Sequence, residues 1–246
     1  MSDVENEKKF RDQIDAIAFD IDGTLYSSAR FYLRIMPYFF RHIAFFAKYN
    51  RARQVLHKTA PLADFYEYQA RLFNDINDIN PDAEFQDNET IKESVKKSKK
   101  RINDVVYDGL KPYFKKTKPY KEVREFFELA KKQGLKLALL SDFPPEQKDD
   151  VWGLAPMCDV VMGSESLGAL KPSVYAFGQM AMKLEVPNER ILYVGNSVRA
   201  DINGAKNAGM KTAYIQTGFA RIFNKKPNNA DISFKNYRQL RKIVLE

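Results

Sequence analysis

Cysteine and histidine are nearly missing from this chain of 246 residues: Cys158, His42 and His57 are the complete set. A single cysteine excludes an intrachain disulfide and any cysteine-based zinc cluster. Beside Val160 and Val161 it reads as a small apolar residue, compatible with a reducing compartment. No Ser-His-Asp arrangement is visible, and neither a Walker-type glycine loop nor a dinucleotide-binding glycine fingerprint occurs. Long apolar runs are also lacking. The most apolar stretch, residues 35–47, is interrupted by Arg41 and His42 and falls short of the ~20 residues a membrane span needs. The first 13 residues are polar and charged, unlike a secretory signal. A cytoplasmic protein without membrane contact is the expectation. Glycine is scarce in one place: residues 27–118 hold only Gly109, of eleven in the chain.

What is present is enough for a full core. Hydrophobic residues make up 44% of the chain, and charged ones 29%. The length suits one large domain or a domain with an insertion. The net charge of +8 favours anionic partners without choosing among them.

The stretch at residues 16–26 organises the rest. A short apolar run ending at Phe19 reads as a buried strand. It delivers Asp20 and Asp22, which as i and i+2 share a strand face. Gly23 then lets the backbone turn away. Two carboxylates this close repel unless a cation or proton lies between them, so a metal-assisted site at a strand's end is expected.

Residues 27–118 differ in character and read as a helical insertion. Leu33, Met36, Phe40, Ile43 and Ala47 recur at helical spacing and predict a packed stripe, with Pro37 marking a break or helix start. Residues 60–73 and 91–107 also read as helices, and 74–88 as loop. The lysine-rich run at 92–101 has no interleaved aromatics, so a solvated helix face is expected there and nucleic acid is not an expected partner. Aromatics cluster at Phe31, Tyr32, Tyr38, Phe39, Phe40, Phe45 and Phe46, some for the core and some for a pocket. Arg30, Arg34, Tyr38 and Arg41 are candidates for contact with a leaving group.

From residue 119 helices and strands alternate. Strands are expected at 135–140, 160–162, 191–194, 212–215 and 231–234, and helices at 122–132, 173–184, 201–207 and from 236. This alternation implies a parallel sheet with right-handed crossovers, hence an α/β fold. Ligands bind beyond the carboxyl ends of such strands. Asp20, Asp22, Ser141, Lys171, Asn196 and Asp201 all fall at those ends or on nearby loops. Their chemistry suits phosphoryl transfer: Asp20 as nucleophile, Asp22 as acid and base, Ser141 on phosphoryl oxygens and Lys171 against developing charge. An anion attacking an anion calls for a divalent cation, and Mg2+ suits this oxygen-rich set.

In this order the segments resemble the haloacid dehalogenase-like hydrolase superfamily. The run from Phe19 to Leu25, FDIDGTL, resembles its first motif. Leu139-Leu140-Ser141-Asp142 resembles the second, the run from Gly168 to Ser173 the third, and Val194-Gly195-Asn196-Ser197 with Asp201 the fourth. The resemblance implies a doubly wound, Rossmann-like core at 1–26 and 119–246 with a helical C1-type cap at 27–118. It implies a magnesium-dependent phosphatase of a small phosphorylated metabolite, working through an aspartyl-phosphate on Asp20. Asp20, Asp22 and Lys171 would be catalytic; Thr24, Ser141, Asp142 and Lys171 would bind phosphate; Asp20, Asp22, Asn196 and Asp201 would hold magnesium. The family's dehalogenases lack the second aspartate, so Asp22 favours phosphate chemistry. A phosphomutase and a weakly active binding protein are the alternatives. One departure stands out: Asn196 is neutral where such phosphatases carry an acid, which predicts weaker metal binding.

Overall fold

The computed structural model describes residues 10–59, 61–76, 85 and 87–246, the side chain of Phe219 excepted. Six strands form one sheet: β1 Ala16–Phe19, β2 Lys136–Ser141, β3 Val160–Gly163, β4 Ile191–Gly195, β5 Lys211–Ile215 and β6 Ile232–Phe234. Their order is β3-β2-β1-β4-β5-β6, and every pairing is parallel. Phe19, the last residue of β1, lies opposite Leu139 of β2 and Val194 of β4. The order reverses between β2-β1 and β1-β4, so the crevice beyond the carboxyl end of β1 is the place where such a sheet takes a ligand.

β1 carries no polar side chain because both of its faces are covered. Ile17 and Phe19 enter one layer with Phe126, Phe127 and Tyr237, where Phe19 stacks on Phe127 with ring centroids 4.6 Å apart. Ala16 and Ala18 point the other way, towards Phe177, Met180 and Tyr193. The small residues on this second face leave room for the bulk of Phe177, as strand alternation requires.

Among the described residues, five helices make up the block inserted after β1: α1 Ser28–Arg41, α2 Ile43–Leu56, α3 Phe65–Phe73, α4 Glu89–Ile102 and α5 Asp108–Lys115. A π-helical stretch, Asn103–Tyr107, joins the last two. The described residues of this block contain no strand. Its two connections to the sheet are held together: Tyr26 bridges Pro119, and Tyr120 N–H donates to Leu25 O at 2.7 Å. The remaining helices are α6 Val123–Lys132, α7 Val174–Leu184, α8 Gly204–Asn207, α9 Gly218–Ile222 and α10 Tyr237–Val244. α6 and α10 cover the Phe19 face of the sheet, and α7 covers the other, which makes the fold doubly wound.

Some expectations are corrected. The stripe Leu33, Met36, Phe40, Ile43 and Ala47 is exposed, Leu33 by 68% and Phe40 by 61%; α1 instead buries Phe31 and Ile35. Pro37 sits inside α1, and the break comes at His42. The helix expected at 60–73 begins at Phe65, because the Asp64 carboxylate accepts from Glu67 N–H and caps it there. The helix expected at 201–207 is π-helical at Val198–Asn203 before α8. Lysines of the basic run pair along or beside α4: Lys92 with Glu89, Lys97 with Glu93, Lys99 with Glu67 and Lys100 with Asp104. Residues 1–9, Ala60 and most of the expected 74–88 loop lie outside the described residues. Among the described residues no helix is long and apolar enough to cross a membrane.

Candidate active site

Asp20 follows β1 directly and extends its ladder by one rung, its N–H donating to Val194 O at 2.9 Å. The residue is 5% exposed. Gly23 then turns the chain at φ +89°, and a Cβ there would collide with the Asn196 amide. Glycine at this position thus admits both the turn and the Asn196 side chain from the β4 loop. Thr24 Oγ1 lies 2.8 Å from Asp20 Oδ2 and 3.2 Å from Asn196 Oδ1. Its one proton serves a single acceptor at a time, so Asp20 and Asn196 present oxygens around one shared hydroxyl.

Lys171 closes the other side of Asp20. Its Nζ donates to Asp20 Oδ1 and to Asp201 Oδ1, each at 2.7 Å, and lies 3.2 Å from the Tyr193 hydroxyl. Burial by itself would discharge this lysine, but the Asp20 and Asp201 carboxylates outweigh it and hold its pKa well above the usual value. Burial pushes Asp20 up to about 7, with Asp201 and Asp22 adding to the rise and Lys171 opposing it. Asp201 is 1% exposed and has both oxygens engaged, because Oδ2 accepts N–H bonds from Asn196 and Ser197 at 3.1 and 2.9 Å. It thereby ties the β4 loop to Lys171. Gly195 has no space for a side chain because Asp201 fills it.

Asp22, two residues after Asp20, meets different partners. Tyr26 donates to Asp22 Oδ1 at 2.6 Å, and Ser141 donates to Oδ2 at 3.1 Å. Lys148 Nζ stands 3.1 Å from the same Oδ2. The Lys148 side chain is fully buried, its ammonium 4.6 Å from the centre of the Phe114 ring. Asp142 Oδ1 accepts from Lys171 N–H at 2.9 Å and Ser164 Oγ at 2.7 Å. Burial acts to raise the Asp142 pKa, but Lys171, Arg53 and His57 hold it below the usual value.

The helical block touches this site through the loop that carries Lys171. His57 Nδ1 lies 2.7 Å from Lys171 O. Leu62 N–H donates to Gly168 O at 3.0 Å, an approach that a side chain on Gly168 would prevent. Arg53 of α2 forms a buried ion pair with Glu165, whose other oxygen accepts from the Tyr107 hydroxyl at 2.8 Å. Between block and sheet lies a cavity of about 660 Å³ that begins at Asp22.

Thr24, Ser141, Asp142, Lys171, Asn196 and Asp201 therefore meet Asp20 or Asp22 directly or through one intervening residue, Asp142 by way of the Lys171 backbone. The candidates Tyr38 and Arg41 do not line the cavity at Asp22. Sequence reasoning missed Lys148, His57 and the Arg53–Glu165 pair, which carry no spacing signal. Arg30 and Arg34 line an adjoining depression with Lys118, Lys121 and Arg221, which shares Phe31 and Tyr32 with the cavity at Asp22, but neither arginine lines that cavity.

For a cation, the structure offers oxygens only: Asp20 Oδ2 and Asn196 Oδ1, brought together at Thr24 over a glycine that leaves them room. Among the described residues no group of three or more His, Cys, Asp or Glu could hold a metal. One carboxylate and one amide oxygen, completed by water and substrate, suit Mg2+, which seldom uses an all-protein cage.

Residues 14–209 match a family model described as haloacid dehalogenase-like hydrolase. The chain belongs to this family. This hydrolase is 32% identical over 115 residues to the phosphoglycolate phosphatase of Aquifex aeolicus, a match covering 46% of this chain and 54% of that one. The chain thus spans about half the length of that relative. It is 26% identical over 206 residues to the pyrophosphatase PpaX of Halalkalibacterium halodurans, covering 82% of this chain and 84% of that one. The crystal structure of a HAD phosphatase from Thermococcus onnurineus superposes with a TM-score of 0.59 at 22% identity, over 94% of this chain and 97% of that one. That likeness shows the fold.

Proposed function

We propose that this hydrolase is a magnesium-dependent phosphatase acting on a small phosphorylated molecule, with Asp20 as the nucleophile. The observation that carries the reading is the asymmetry of the two aspartates. Asp20 has one oxygen on Lys171 and the other on Thr24, at the inner end of the crevice. Asp22 faces a cavity and is served by Tyr26, Ser141 and Lys148. One group is placed to attack phosphorus and the other to handle the leaving oxygen.

In this reading Asp20 attacks the phosphoryl group in line, the P–O bond to the alcohol breaks, and Asp22 supplies its proton to the departing oxygen. Asp22 then takes a proton from water, which attacks the phosphorus of the Asp20 acyl phosphate and frees inorganic phosphate and the Asp20 carboxylate. Lys171 offsets the charge that builds on the phosphoryl oxygens, and Thr24 and Ser141 supply hydroxyl donors near them. Asp142 serves by holding the Lys171 backbone, since a carboxylate gains nothing from touching phosphate. Magnesium, held by Asp20, Asn196 and the Asp22 backbone carbonyl, would supply Lewis-acid neutralisation of the phosphoryl charge. Asp201, with both oxygens spent, supports this set through Lys171 and the Asn196 backbone.

Residues 27–118 act as the cap in this proposal, and 1–26 with 119–246 as the core. A cytoplasmic setting belongs to the same proposal, in keeping with the single half-buried Cys158. Turnover of phenyl phosphate with and without Mg2+, in wild type and in Asp20→Asn, tests it. Wild-type hydrolysis abolished by chelation and by the substitution is expected, with the circular dichroism of the variant unchanged. Hydrolysis that survives in Asp20→Asn would remove the proposed nucleophile.

A further inference from the structure

We infer that the alcohol released at this site is uncharged, with an apolar or aromatic body. The inference rests on the phosphatase reading and adds the class of substrate. An acid that protonates a leaving oxygen must touch it, so the carbon skeleton begins where Asp22 ends. The space that begins there is the cavity of about 660 Å³ between the helical block and the sheet. Its walls are aromatic and aliphatic: Phe31 and Phe39 from α1, Phe46 from α2, Phe114 from α5, and Tyr26 and Phe143 from the sheet side. It reaches solvent at Tyr32, Leu33 and Met36, the exposed residues of α1.

Charge is nearly excluded from this lining. Asp22 is its one carboxylate, and no lysine or arginine contributes to it. Of its two amides, Asn50 and Gln147, the second has its Nε2 donors engaged, donating to Val106 O at 2.6 Å and Tyr107 O at 3.2 Å. The nearest cation, Lys148, is engaged with Asp22. Along α1, Ile35 and Met36 line the cavity, Arg30 and Arg34 line the adjoining basic depression and not the cavity, and Phe31 and Tyr32 stand between the two. A carboxylate on the leaving group would lose its water among aromatic rings, beside Asp22 and without a cation to pair with, a burial that proteins avoid. A neutral ring or alkyl chain would gain from the same walls, and the volume falls within the range of sites for small organic molecules. The Aquifex relative is named for phosphoglycolate, an ester whose alcohol carries a carboxylate. This cavity lacks the cation that such a group needs.

The test is a matched series of esters hydrolysed by the purified full chain with Mg2+: phenyl phosphate, 4-carboxyphenyl phosphate, 4-(aminomethyl)phenyl phosphate and phosphoglycolate. Phenyl phosphate is expected to exceed each charged ester by about 100-fold or more in kcat/KM, the discrimination that a pocket unable to pair a charge can impose. Met36→Arg at the cavity mouth should narrow the gap to 4-carboxyphenyl phosphate by about tenfold. Equal or greater kcat/KM for any charged ester overturns the inference while leaving the phosphatase reading intact. If no ester turns over, the phosphatase reading falls and takes the released alcohol with it. Fluorescence titration with 2-naphthol and 6-hydroxy-2-naphthoate then shows separately whether the cavity prefers the neutral ring; equal binding of the two contradicts that preference.

Discussion

Lys148 Nζ lies 3.1 Å from Asp22 Oδ2, so the second aspartate of the site has a buried lysine of its own, as Asp20 has Lys171. The two lysines arrive from different loops, Lys171 after β3 and Lys148 after β2. Lys148 is packed against Phe114 and Phe143, contacts that fix where its charge sits. With Tyr26 and Ser141 it sets the orientation of the Asp22 carboxylate.

Lys148→Met should therefore lower kcat for phenyl phosphate by about tenfold with little change in KM, because a group that loses its orientation costs chemistry more than binding. Lys148→Arg should recover part of the loss. An unchanged kcat in Lys148→Met would show that Tyr26 and Ser141 suffice.

The pKa of Asp20, raised to about 7 in the metal-free chain, makes a statement about stability. A carboxyl whose folded pKa exceeds its unfolded value near 4 contributes stability that is complete below the unfolded value and is lost as pH rises through 7. Between pH 5 and pH 8 the metal-free protein should lose about 3 kcal/mol that Asp20→Asn does not lose. Denaturant unfolding of both proteins at the two pH values measures it. Parallel pH curves would contradict the raised pKa.

Asn196 contributes an amide oxygen where an acid would bring a full charge. Asn196→Asp should tighten Mg2+ binding by about tenfold, the order expected for one added anion at a partly solvated site. Calorimetric titration reads it directly. Unaltered affinity would place the metal away from position 196.

Arg53 and Glu165 join the helical block to the loop that ends in Lys171, and both are buried. Arg53→Met leaves Glu165 with only the Tyr107 hydroxyl for compensation. It should cost about 3 kcal/mol in unfolding free energy, and Arg53→Met with Glu165→Leu should recover most of that, as buried pairs replaced together often do. If the single variant is as stable as wild type, the pair does not hold the two parts together.

Much of this was legible in the sequence, for physical reasons. Parallel strands buried on both faces leave unbroken apolar runs such as Ala16 to Phe19, and the polar residues that follow mark their carboxyl ends. Asp20, Asp22, Gly23 and Thr24 are contiguous, so their meeting needs no knowledge of distant packing. Helical periodicity, in contrast, shows that a helix has an apolar face without showing what lies against it. Leu33, Met36 and Phe40 form such a face, yet Phe31 and Ile35 are the buried pair. Lys148 was invisible for a related reason. What buries it are Phe114 and Phe143, one of them in the inserted helices, and no local spacing announces that contact. His57 meets Lys171 O across 114 positions of chain, equally beyond local pattern.

The central claim is that phosphate passes through Asp20. Mixing the full chain and Mg2+ with radiolabelled phenyl phosphate, quenching in acid within the first turnover and mapping the labelled peptide tests it most directly. The account predicts label on the peptide containing Asp20 in wild type and none in Asp20→Asn. Steady hydrolysis with no labelled peptide, or label at another residue, would contradict it.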